Sequence, residues 1–158
     1  MATFLIAAHV AAGTIGLLLA GPVLLAPKRR GWHTRLGRGF LACVAVVCAS
    51  AVALFAREPG RLWVFLLIAL LTGVAAGGGL MLALRRPPGW LLWHLRLMAS
   101  SVISFVTAFL FQATDANIVA VLLPSVLGSP LIAYQAKRVQ SWKAAPRTRQ
   151  PEPTTLAS

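Results

Sequence analysis

The chain has 158 residues, 58% of them hydrophobic and only 11% charged, with a mean hydropathy of +0.79. Soluble domains carry charge on about a quarter of their residues, so this composition excludes an ordinary soluble domain and places the chain in a bilayer. Three carboxylates, Glu58, Asp115 and Glu152, face 15 Lys and Arg for a formal net charge of +12; these cations sit in loops and a tail between apolar runs, so the expected counter-charge is anionic lipid headgroup, not nucleic acid.

Five apolar segments are expected to span, over residues 2–26, 37–56, 62–84, 90–112 and 117–135. The first is uncharged and, at 1.5 Å per residue, long enough for a hydrocarbon core of roughly 30 Å. Its basic flank follows it, the reverse of a secretory signal peptide, so it should stay uncleaved. His9, Gly13, Gly16 and Ala20 share one helical stripe, where small residues admit a neighbouring helix. Gly21-Pro22 invites a bend near the inner end.

The stretch Lys28 to Gly39, KRRGWHTRLGRG, is the densest basic run and marks a membrane surface. Beyond it comes the second span, with Cys43 and Cys48 at a spacing that fits neither a metal pair nor a redox CxxC; both read as small packing residues. Arg57, Glu58, Pro59 and Gly60 form a turn. The third span carries Gly73 and Gly77 at GxxxG spacing, followed by Gly78 and Gly79, a groove for another helix or a flat ligand. Arg85, Arg86 and two prolines end it.

The fourth span places His94, Met98, Ser101, Phe105, Ala108 and Gln112 on one face. Ser100, Ser104 and Thr107 supply hydroxyls that bond back to carbonyls or across to a neighbour. The fifth, interrupted by Pro124, Gly128 and Pro130, reads as a spanning helix, kinked, or as a partly re-entrant segment that would leave four full spans. Residues 1–136 thus form one all-helical transmembrane domain. Residues 137–158 form a basic, proline-containing cytoplasmic tail with a disordered end.

Of the 15 Lys and Arg, all but Arg57 and Arg61 fall in the first loop, the third loop counted with Arg96, and the tail. The positive-inside rule then puts the N-terminus outside and the C-terminus in the cytoplasm of a bacterial cell membrane.

The first-span run HVAAGTIGLLLAGPVLL, the motif WHTRLGRGF and the later WHLRLM resemble a family of bacterial membrane proteins grouped as domain of unknown function 2306. The resemblance covers most of residues 5 to 112 and matches that family at His9, Gly13, Gly21, Pro22, His33, Gly37, Arg38, His94 and Met98. The chain departs from it at Leu97 and Ser100, where the family often has tryptophan and arginine. The family has no established activity, so the resemblance implies the architecture and no reaction.

The interior of the spans holds no Asp or Glu, and the chain has no HExxH, no GxSxG and no phosphate loop. Transport has no visible inverted repeat or intramembrane charge behind it. His33 and His94 should lie near the cytoplasmic interface at similar depth, with His9 entering from the other side. Two readings follow. In the first, Trp-His and basic residues are interfacial anchors, and the His/Arg-rich cytoplasmic face binds a lipid, a small ligand, a partner subunit or a second copy of the chain. In the second, His33 and His94 ligate haem or a metal, or hydrogen-bond a quinone, while Arg35, Arg38 and Arg96 hold propionates or a lipid phosphate. A neutral His9 bonded to a neighbouring helix belongs to either reading.

Overall fold

A computed structural model describes residues 2–26, 31–115 and 117–144. Five helices follow one another: α1 (Ala2–Leu25), α2 (Trp32–Phe55), α3 (Pro59–Arg85), α4 (Trp90–Ala113) and α5 (Ile118–Ala144). All five are long and apolar enough to cross a membrane, and the chain is an all-α, multi-pass helical bundle.

The helix ends follow from backbone chemistry. At the end of α3, Arg86 adopts the left-handed conformation (φ 50°) and returns its N–H to Leu82 O at 2.9 Å. Pro87, which has no N–H, cannot satisfy Ala83 O, and Arg86 Nε reaches that carbonyl at 3.4 Å instead. Asn117 opens α5 by accepting the N–H of Val119 at 3.0 Å on its side-chain oxygen.

Two boundaries differ most from the expectation. Helix α2 begins at Trp32, not near residue 37, so WHTRLGRGF forms its first turns and is not a loop. Helix α5 runs unbroken through Pro124 and Pro130 and past Gln135 to Ala144. It is a full-length helix, not a re-entrant segment, because a membrane bundle absorbs the loss of one N–H per proline. Its last turns carry Lys137 and Arg138, so the basic tail starts as helix. Lys28, Arg29 and Arg30, and the tail from residue 145 on, lie outside the described residues.

The helices run alternately up and down. Helices α1 to α4 close a ring in which each packs on the next and α4 meets α1; α5 packs on α4 alone. At the centre of the ring Phe40, with no exposure, lies 5.8 Å from the Phe105 ring, surrounded by Ala20, Val23, Val44, Ala76 and Val102. Gly16 makes this possible, since a Cβ there would stand 2.9 Å from Phe105 Cζ. On the α3–α4 contact Gly79 leaves no room for a side chain, since a Cβ there would meet Met98 Sδ at 2.8 Å. Gly77, half of the GxxxG pair, has nothing within 4 Å of that position, and Gly73 meets only Cys48 Sγ at 3.6 Å. The packing glycine is therefore one turn-face away from the motif. The outer faces stay apolar, with Leu18, Val74, Val126 and Leu127 among the exposed residues, as a lipid-facing surface requires.

Candidate functional site

Alternation of the helices brings the C-terminal ends of α1, α3 and α5 and the N-terminal ends of α2 and α4 to one end of the bundle. Arg35, Arg38, Arg85, Arg86, Lys137 and Arg138 gather there. The described carboxylates, Glu58 and Asp115, sit in the turns at the opposite end.

Both interfacial histidines lie at this basic end, and each is tied to a different neighbour. His33 Nδ1–H donates to Val23 O on α1 at 3.2 Å. The residue four beyond Val23 is Pro27, which lacks the N–H that would otherwise fill that carbonyl, so His33 acts as a cap for the end of α1. His94 Nδ1–H donates to Gly79 O on α3 at 2.8 Å, and its ring lies 6.0 Å from that of Trp90. Phe40, on the helix of His33, is part of the core, and Leu36 and Met98, on the helices of His33 and His94, pack against it. Among the described residues no group of three or more His, Cys, Asp or Glu comes together as a metal site.

His9 belongs to the other end. Ser50 Oγ donates to Val46 O at 2.7 Å, so His9 Nδ1–H is the donor into Ser50 Oγ at 2.8 Å. This bond ties α1 to α2 across the bundle from the other two histidines. The hydroxyls of Thr72 and Ser101 return to their own helices, at Ile68 O and Met98 O, both at 2.7 Å. Cys48 Sγ donates to Ala69 O at 3.2 Å, consistent with a packing role.

The arginines divide. Arg35 and Arg38 are exposed on the first turns of α2. Arg96, grouped with the third loop only for the charge count, lies inside α4, as the expected span 90–112 has it, and is half-buried. It lines a recess of about 270 Å³ between α4 and α5 together with Ser100, Ser129, Ile132 and Ala133. Its guanidinium stacks 5.3 Å from the Trp93 ring centre. Ser100, one turn on from Arg96, was legible as a neighbouring hydroxyl. Ser129 was not, because only the register of α5 against α4 brings it there.

Comparison with known proteins finds nothing similar. No family model matches the chain, and neither a curated protein nor a solved structure matches it.

Proposed function

We propose that this is a protein of the bacterial cytoplasmic membrane whose basic end faces the cytoplasm and binds anionic phospholipid headgroups, with its N-terminus outside. The observation that carries this reading is the segregation of charge: cations gather at one end of the bundle, and no described carboxylate is there to neutralise them. Each such cation near an anionic leaflet contributes about 1 kcal/mol of attraction. Kinship with the domain of unknown function 2306 family is proposed with it, on the motifs WHTRLGRGF and WHLRLM.

The test is thermal stability of the purified protein in nanodiscs of phosphatidylcholine with increasing phosphatidylglycerol. The melting temperature should climb with the anionic fraction, and added salt should reverse much of the gain. A melting temperature indifferent to both would refute the reading. For orientation, a membrane-impermeant maleimide should label Arg35→Cys, in a Cys43→Ala/Cys48→Ala background, only in inverted vesicles; labelling in intact cells would refute it.

A further inference from the structure

We infer that the recess between α4 and α5 is a discrete site for the phosphate of one anionic glycerophospholipid, held by Arg96, Ser100 and Ser129. The inference rests on the reading of the basic end as a lipid-binding face and names one site within it.

Three donors open into this recess. Among the described residues, neither the Arg96 guanidinium nor the hydroxyls of Ser100 and Ser129 meet a hydrogen-bond acceptor, whereas Ser50, Thr72 and Ser101 all bond back to carbonyls. An arginine inside a membrane helix is costly unless something answers its charge. The Trp93 ring, its centre 5.3 Å from the guanidinium carbon, offers a cation–π contact and no carbonyl or carboxylate oxygen as hydrogen-bond acceptor. The guanidinium N–H groups thus stay available to a ligand in the recess, and such a planar fork binds a phosphate through two parallel hydrogen bonds.

Depth fits as well. Arg96 lies six residues after Trp90, or about 9 Å along the axis at 1.5 Å per residue. Side chains on a helix lean toward its N-terminus, which for α4 is the basic end, so the guanidinium rises toward the headgroup layer. Ile132 and Ala133 form the apolar wall on the α5 side, against which the glycerol and the start of an acyl chain would lie. The recess is open to the bilayer flank and too small for a macrocycle, but sufficient for a phosphate and its ester carbons.

The experiment is native mass spectrometry of the full chain from mild detergent, titrated separately with phosphatidylglycerol, phosphatidylcholine and inorganic phosphate. The wild type should retain one phosphatidylglycerol. Arg96→Gln should weaken that binding by about tenfold or more, as loss of a charge-assisted hydrogen bond implies. Arg96→Lys, which keeps the charge but loses the paired geometry, should weaken it by a smaller factor, and Ser129→Ala by about threefold. The double variant Arg35→Gln/Arg38→Gln should weaken it by less than Arg96→Gln does, although it removes two charges. Melting temperatures in lipid-free detergent check that each variant is folded; if Arg96→Gln is not, Arg96→Lys and Ser129→Ala decide.

Unchanged retention in the Arg96 and Ser129 variants overturns the site. Equal losses from the Arg96 and the Arg35/Arg38 variants mean diffuse attraction, which overturns the site but leaves the broader reading standing. Equal binding of phosphatidylcholine and phosphatidylglycerol overturns both. Inorganic phosphate binding as tightly as the lipid makes the occupant a soluble anion and overturns the lipid assignment.

Discussion

Replacing Phe40 with alanine tests the core most directly. The ring has no exposure and packs against Phe105, which is itself held by Gly16. In a soluble protein such a truncation loses both transfer energy and packing, typically 3–5 kcal/mol. In a bilayer the unpacked helix still keeps the side chain in hydrocarbon, so the transfer contribution largely disappears and the cavity remains. A cavity of roughly 100 Å³, at about 24 cal/mol per Å³, costs about 2 kcal/mol. Loss of the aromatic pair adds about 1 kcal/mol. Phe4, 75% exposed, and Phe109, 52% exposed, face lipid and supply the controls; alanine there should cost under about 0.5 kcal/mol. Unfolding in dodecylmaltoside–SDS mixtures, followed by circular dichroism and by the reactivity of Cys43 and Cys48, measures all three. If Phe40→Ala and Phe4→Ala prove equally mild, the ring does not sit in a packed core and the arrangement of α1, α2 and α4 is wrong.

Gly79→Ala should destabilise by about 1–2 kcal/mol because its methyl meets Met98, while Gly77→Ala, which meets nothing, should be neutral or stabilise by up to about 1 kcal/mol; the same SDS titration ranks them, and a reversed order would contradict the α3–α4 packing. His33→Ala should cost about 1 kcal/mol by orphaning Val23 O, and His33→Asn, whose amide nitrogen takes the place of Nδ1, should recover most of it; no recovery would argue against the capping role. An absorption spectrum of the purified protein, oxidised and dithionite-reduced, should show no Soret band. A reducible band lost in both His33→Ala and His94→Ala would instead establish the haem reading.

The spans were legible because hydrocarbon thickness dictates a length and the apolar runs meet it. The faces of α1 and α4 were legible too: Gly16 and Ala20, like Ser101 and Phe105, are buried where the 3.6-residue period puts them. Boundaries near charge were not. Trp32, His33 and Arg35 read as a loop by composition, yet they are helical, since interfacial water solvates side chains without unwinding the backbone. The GxxxG spacing misled for a different reason. A spacing identifies small residues but not the rotation of the helix that displays them, and that rotation brings Gly79 against Met98. The similar depth expected for His33 and His94 agrees with their common end of the bundle, but depth says nothing about which helix each ring turns toward, and they turn to α1 and α3. The recess at Arg96 needs the register of two helices that only the folded chain specifies.

Helix α5 stands outside the closed ring and touches α4 alone, which has a consequence for biogenesis. The first four helices can complete their mutual packing while the last is still being synthesised. One wall of the Arg96 recess is contributed by that last helix, so the recess does not exist in a nascent chain and comes into being only when α5 docks. Whatever the recess holds is therefore acquired at the end of assembly, and a chain truncated before Ile118 would retain the ring and lose the recess.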